Sequence, residues 1–375
     1  RIQWTPLLVF SFAIFASVIF GEGAPALRAS EKVKPGMDST WQNLMEAGEA
    51  SFRLGNFDDA ENLFAMAACS EQNANANELL IATSLMREAD ACCKEERFAT
   101  ADRLYKRALE IRERKLGTDH TDVVQVLSKQ AWLEERHRNY LMEEEIYRRI
   151  LKIEQKKFGA ESPSVAITMK NIAHCIYERA FDLDPKPAEP RKNPAFVDAE
   201  NLLEKALAIC EKSEGTNSKT ATQILDEQSH MYWMYDYFSK GEQCLRRALA
   251  IRDTYLAPDD PLLESNLRGL IGIKARQNTE DRVLFKRVLA IWKKNPTALQ
   301  TPPSRTNQVI CLNNRGVLCL NMGEYQMAEE YFLKALQIDP NYKLCSENLN
   351  IVRMNMKSKE SDNTRSLLQH NTTRD

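Results

Sequence analysis

Six short runs constrain what this chain can fold into. They read ALEI (108–111), ILKI (150–153), ALAI (206–209), ALAI (248–251), VLAI (288–291) and ALQI (335–338). Their first residues lie 42, 56, 42, 40 and 47 positions apart. A weaker copy, AMAACS, ends at Ser70. One period of about 42 residues, with an insertion of 14 in the fourth copy, accounts for the series. Each run closes an amphipathic helix. Ala101, Leu104, Tyr105, Ala108 and Ile111 form one stripe, while Asp102, Arg103, Lys106 and Arg107 lie off it.

A second helical stretch precedes each run, at residues 123–136, 165–179, 220–234, 262–276 and 308–322. The unit is therefore a first helix, a tight turn, a second helix and a loop. One such hairpin cannot bury both its faces, but stacked neighbours can, so the pattern predicts an all-α solenoid.

The last unit, NNRGVLCLNMGEYQMAEEYFLKALQIDP (313–340), resembles the tetratricopeptide repeat (TPR). Gly316 allows close approach of the two helices, Ala328 is the small residue inside the second, and Tyr325 and Phe332 fill the hairpin. Ala335 and Pro340 close the unit. FATADRLYKRALEIRERKLGTDHTDV (98–123) is similar to the 42-residue repeat of kinesin light chain, including its LG-x-DH-x-x-V loop. KFGAESPSV (157–165) and YLAPDDPLL (255–263) are looser copies. The resemblance implies a TPR-type αα superhelix of about seven hairpins. A HEAT or armadillo array has a similar period but lacks the Gly/Ala and Tyr/Phe pattern around Gly316 and Ala328.

The expected organisation follows. Residues 1–26 are a signal peptide or signal anchor, 27–38 a linker and 39–294 the kinesin-light-chain-like repeats, interrupted by an insertion at 182–195 that contains four prolines. Residues 295–306 form a proline-rich linker, 307–357 a final TPR with a capping helix, and 358–375 a polar, disordered tail. The fifth repeat carries Gly241 at the small-residue position, and the sixth, TEDRVLFKRVLAI, is degenerate.

The run LLVFSFAIFASVIF (7–20) is uncharged and short for a membrane span, and GEGAPA (21–26) follows it. Cleavage after Gly23 or Ala26 and export is the first expectation. The nine cysteines have no framework spacing, and the one sequon, Asn371-Thr372-Thr373, lies in the tail. Both suit a reducing compartment slightly better. A membrane anchor with the repeats in the cytosol is thus the alternative, which Arg28, Lys32 and Lys34 would favour.

No catalytic signature is present: no phosphate-binding glycine loop, HExxH, GxSxG or EF-hand loop. The expected role is a non-enzymatic scaffold that binds a protein or peptide segment in its concave groove. The alternative is a regulatory or accessory subunit of an enzyme or membrane assembly. A formal charge of −2 and the absence of a basic arm give no reason to expect nucleic acid. No cofactor or small-molecule substrate is expected.

Alignment of the repeats directs Trp132, Glu135, Lys170, His174, Tyr177, Asp226, His230, Trp233, Arg268, Arg276, Asn313 and Asn321 toward that groove. The alternative for Trp132 or Trp233 is interhelical core. Asn313 and Val317 stand where chaperone-binding relatives carry the Lys and Asn of a carboxylate clamp, so capture of an EEVD-type tail is not expected. His174 and His230 occupy one position in adjacent repeats. A pair could bind metal, but no third ligand is spaced to help, so they are read as polar groove residues. Their ordinary pKa would make binding change between about pH 5.5 and 7.5. His120, in the inter-repeat loop, is expected to cap a helix. Vicinal Cys92 and Cys93 are read as one core and one half-exposed thiol.

Overall fold

The computed structural model describes residues 39–73, 78–184, 192–277, 279, 281–294 and 305–371. The leader 1–26, the linker 27–38, residues 185–191 of the insertion and residues 295–304 of the proline-rich linker lie outside these.

Among the described residues there are fifteen α-helices and no strand. The first five hairpins pair α1 (Ser39–Leu54) with α2 (Phe57–Asn73), α3 (Glu78–Lys94) with α4 (Phe98–Leu116), α5 (Thr121–Arg136) with α6 (Tyr140–Phe158), α7 (Pro163–Leu183) with α8 (Pro194–Glu214), and α9 (Lys219–Met234) with α10 (Phe238–Arg252). With α11 (Glu264–Arg276) they form one compact unit, Arg28–Glu280. A second unit contains α12 (Arg282–Lys294), the hairpin α13 (Arg305–Asn321) and α14 (Tyr325–Ile338), and α15 (Lys343–Asn371). The two units are described separately. Among the described residues no helix is long and apolar enough to cross a membrane.

Five of the hairpins turn the same way because the chain repeats the same backbone device. The residue two places before the second helix has a positive φ: Gly55 (82°), Glu96 (61°), Arg138 (56°), Asp236 (61°) and Gly323 (75°). A left-handed residue after a helix releases the chain from it and satisfies the last carbonyls. The exit from the second helix is also fixed. His120, Ser162, Ser218 and Asp260 each accept a backbone N–H of the next element through the side chain. His120 is therefore a cap, as its place in the loop predicts.

Within each hairpin the helices meet at one crossing. On the first helix stand Gly48, Ala89, Ala131, Ala173, Ser229 and Gly316; at the matching positions of the second stand Phe64, Tyr105, Tyr147, Leu203, Leu245 and Phe332. A Cβ built at Gly48 or at Gly316 would lie 2.5 Å from the ring of Phe64 or Phe332. Phe64 and Phe332 are fully buried there. The second helix also carries a small residue one turn before the ring, as in Ala60, Ala101, Ala199, Gly241 and Ala328. Repeat three breaks that rule with Glu143, which is 2% exposed. In repeat six the equivalent position is Asp281, whose carboxylate caps α12 at Val283 and Leu284, so this helix starts about a turn late.

In repeat four α7 runs to Leu183 and α8 starts at Pro194, whose ring suits the first turn of a helix. Helix therefore takes up both ends of the segment 182–195 read as an insertion. Aromatic packing holds the hairpin to its neighbour: Phe196 lies 5.0 Å from Tyr235 and 5.5 Å from Tyr237, centroid to centroid. Helix α15 also continues to Asn371, through residues whose polar composition predicts disorder. Residues 343–371 contain neither Gly nor Pro, so nothing in the backbone interrupts the helix.

The loops after α4, α6 and α8 begin at Gly117, Gly159 and Gly215, with φ of 86–87° and ψ of 156–167°. That region of backbone space is essentially closed to residues with a Cβ. Gly117→Ala is therefore expected to lower unfolding free energy by about 1–3 kcal/mol, read from urea titration of the helical signal. The space around it is open, so an unchanged midpoint would mean the loop rearranges freely.

Candidate functional site

The first helices of repeats three to six, α5, α7, α9 and α11, carry ten of the twelve residues assigned to a groove. Asn313 and Asn321 lie on α13, in the other unit. The structure separates the twelve into three environments.

Three are interior. Tyr177 is fully buried in the cluster formed by α7, α8 and α9, with Phe196 and Leu203. Asp226 is 3% exposed and binds Arg252 at 2.5 Å; Asn266 donates to its other oxygen at 2.7 Å. It thus ties α9 to α10 and α11. Asn313 is buried and accepts from Cys345 at 3.4 Å and Asn348 at 3.1 Å, which fastens α15. These three are structural, not groove-lining. Sequence alignment fixes a position in the repeat only to within about one residue of helix phase, and one residue turns a side chain by about 100°.

Six are half-buried on or beside the face of the first helices: Trp132, Glu135, Lys170, His174, His230 and Trp233. Trp132 lies 6.2 Å from Phe98 and under the guanidinium of Arg136 at 5.1 Å, so it is part packing and part surface. Arg276 is exposed and sits 5.9 Å from the ring of Trp233. Arg268 is half-buried beside Glu264 at 3.8 Å, and Asn321 is half-buried.

The densest chemistry lies where α7 packs against α9. His174 Nδ1 is 2.8 Å from Glu227 Oε1 and 3.0 Å from the Tyr177 hydroxyl. That hydroxyl donates to Glu227 Oε1 and lies 3.0 Å from His230 Nδ1. The imidazoles are nearly parallel, 24° apart, with centroids separated by 6.5 Å. Lys170 Nζ approaches Glu227 Oε2 to 3.9 Å, and a Glu178 oxygen lies 3.9 Å from His230 Nδ1. The key residue is Glu227, which the repeat alignment passed over in favour of Asp226. Its signal was present as Glu-x-x-His, 227 to 230, since residues three apart share a helix face.

Burial disfavours charge on both histidines, and Glu227 divides them. For His174, the burial penalty is overcome by the charge and hydrogen bond of Glu227, with Glu178 and Glu143 adding to it, so its pKa rises well above the imidazole range. His230 stays low: burial depresses it, Glu227 opposes, and the His174 cation depresses it further. Glu227 is held well below the carboxylate range because His174, Lys170 and His230 outweigh its burial. The two imidazoles are therefore pushed in opposite directions, away from the ordinary value on which a shared titration near neutrality was expected. Beside the cluster, burial pushes Glu143 up to about 8, against the pull of His174. Its Oε2 has no hydrogen-bond partner.

Cys92 is buried and Cys93 half-buried. Burial pushes their thiols up to about 12 and about 11, so neither is a ready nucleophile.

Two tetratricopeptide-repeat family models match the chain, over residues 80–153 and 309–342. The chain carries tetratricopeptide repeats. The matches cover most of α3–α6 and of α13–α14. Similar solved structures include aspartyl phosphate phosphatase F of Bacillus subtilis, at 12% identity and a TM-score of 0.56 over 82% of this chain and 71% of that one. The apo form of RapI matches at 15% identity and 0.53 over 85% and 99%. A Rap protein complexed with Competence and Sporulation Factor matches at 14% and 0.50 over 82% and 76%. At these identities the TPR protein shares a fold with them. No curated protein sequence matches it.

Two substitutions test the assignment of the interior residues. Tyr177→Ala is expected to cost about 3–5 kcal/mol, as for other buried aromatics. Asp226→Ala leaves the largely buried Arg252 without its carboxylate partner and is expected to cost about 3 kcal/mol. Denaturant midpoints measure both, and changes below about 1 kcal/mol would return these residues to the surface.

Proposed function

We propose that this TPR protein is a non-enzymatic adaptor that holds a segment of a partner protein against α5, α7, α9 and α11. The fold is generally one for protein interaction, and no catalytic motif stands in the sequence. A Rap protein of the same fold was solved with Competence and Sporulation Factor bound, which is in keeping with this reading.

The observation that carries it is the pairing of Trp233 with Arg276. A half-buried indole on α9 lies beneath an exposed guanidinium from α11. Trp and Arg dominate the energetics of protein interfaces because each joins large contact area with directed polar contact. Trp132 with Arg136 repeats the arrangement two repeats earlier. The His174–Glu227–His230 cluster lies between them along the series of first helices, and supplies polar groups.

The test begins with capture of partners on the full chain and mass spectrometric identification, followed by affinity measurements on the purified pair. Trp233→Ala is expected to weaken binding by about 2 kcal/mol with unchanged helical circular dichroism. Normal affinity in a folded variant would put the interface elsewhere. Loss of helicity would make Trp233 a core residue.

The apolar run 7–20 is proposed as an export signal, with an uncleaved anchor as the alternative. Amino-terminal sequencing of the exported chain should find a start after Gly23 or Ala26. Recovery of the intact leader in the membrane fraction would favour the anchor.

A further inference from the structure

We infer that His174, Glu227 and His230 form a binding site for a divalent ion of the zinc class, built across the junction of two adjacent repeats. The donor atoms of the three side chains all lie within 4.8 Å of one another. A tetrahedral zinc site places its nitrogen and oxygen ligands about 2.0–2.2 Å from the ion, and hence about 3.3 Å apart. His174 Nδ1 and Glu227 Oε1 are at 2.8 Å, so closing on an ion takes displacements of about 1 Å or less for that pair. Two imidazoles and one carboxylate are a donor set that zinc and its neighbours accept and that magnesium and calcium do not favour.

The surroundings fit an ion better than they fit a bare hydrogen-bond network. Glu143 belongs to the crossing of repeat three, where every regular repeat has Ala or Gly. The residue is 2% exposed, and Oε2 has no hydrogen-bond partner. It nevertheless interacts electrostatically with His174 and Glu227. Glu178 adds a further buried carboxyl 3.9 Å from His230. Three carboxyl groups thus gather around two imidazoles and Lys170. A buried carboxyl in place of alanine costs stability unless hydrogen bonds or a positive charge offset it.

Loading is an exchange of cations. The proton between His174 Nδ1 and Glu227 Oε1 leaves to solvent, and the ion takes its place with one lone pair from each imidazole and one carboxylate oxygen. Metal binding to such ligands releases protons for this reason. Lys170 would stay on the far oxygen of Glu227, orienting it, and the Tyr177 hydroxyl would remain a hydrogen-bond partner within the site. Burial keeps that phenol protonated, so it does not become an anionic ligand. The side chains of His174 and His230 are 22% and 16% exposed, and the three side chains supply three of the four ligands of a tetrahedral site. A single ion would therefore clamp α7 to α9 while leaving one coordination place for water. The cluster Asp58, Glu61 and Glu95 offers only carboxylates, two of them already paired with Arg97, and is no competitor for a zinc-class ion.

The test uses the full chain, reduced and stripped with chelator, and titrates it with Zn²⁺ and Co²⁺ in separate experiments. The expected result is one equivalent bound per chain, proton release, a chelator-reversible rise in melting temperature, and visible cobalt bands of four- or five-coordinate nitrogen and oxygen ligation. Mg²⁺ should not compete. H230Q and Glu227→Gln, checked for helicity, should each weaken binding tenfold or more. Failure to bind one equivalent, unchanged affinity in the folded variants, or a cobalt–thiolate charge-transfer band would overturn the site. If the variants do not fold, the unaltered chain decides. Zinc should shield His174 and His230, but not His120 and His137, from acylation mapped by mass spectrometry, and equal reactivity with and without zinc would sink the proposal. None of these measurements involves a protein partner, so the result stands apart from the adaptor reading.

Discussion

Two hairpins, α1–α2 and α13–α14, rest on one contact, a glycine of the first helix against a phenylalanine ring of the second. At Gly48 and Gly316 no atom beyond hydrogen fits, because Phe64 and Phe332 fill the space a Cβ would need. Close-packed interiors leave little latitude at such a point. The crossing sets the distance between the paired helices, and that distance fixes which faces remain for the next repeat. The left-handed turn residues and the side-chain caps then return the chain to the same starting geometry about every 42 residues. Elsewhere the pattern is supplemented: Asp281 caps a late-starting α12, and the aromatic cluster of Phe196, Tyr235 and Tyr237 joins repeat four to repeat five.

Repeat three departs differently, and the consequence reaches the neighbouring repeats. Glu143 puts a carboxyl where the others have a methyl group or nothing, next to a layer already rich in buried charge. Burying charge is unfavourable unless it is paired and hydrogen-bonded. The junction of α7 and α9 meets that condition unevenly. Glu227 is served by His174, Lys170 and the Tyr177 hydroxyl, while Glu143 keeps one oxygen without a partner. Polar groups in this layer thus bind the repeats together and give the surface between Trp132 and Trp233 its chemical character.

Most of the architecture could be read from the sequence because it depends on local, periodic features. Hydrophobic spacing placed the first helices at 123–136, 165–179, 220–234, 262–276 and 308–322, and the helices observed there start or end within a few residues of those limits. Gly316, Ala328 and Phe332 could be assigned their roles from one repeat, since the contact they make lies within one hairpin. The polar residues were harder. His174 and His230 were found by their equivalence in adjacent repeats, but Asp226 was chosen where Glu227 was needed. Tyr177 was placed on a surface although its ring is core. Both errors come from helix phase, which a repeat pattern does not resolve to one residue.

The sequence by itself determined the helical hairpin, its period, its turns and its caps, because each depends on residues a few positions apart and on the conformations their backbones allow. Tertiary structure alone decided which charges meet. Glu227 lies 53 residues from His174 and Asp226 lies 40 from Asn266, and nothing in their local sequence brings either pair together. Stacking does, and it also removes the water that would otherwise level their pKa values. The two histidines are alike in sequence but unlike in charge because Glu227 hydrogen-bonds to one of them, and the second then sits beside a cation.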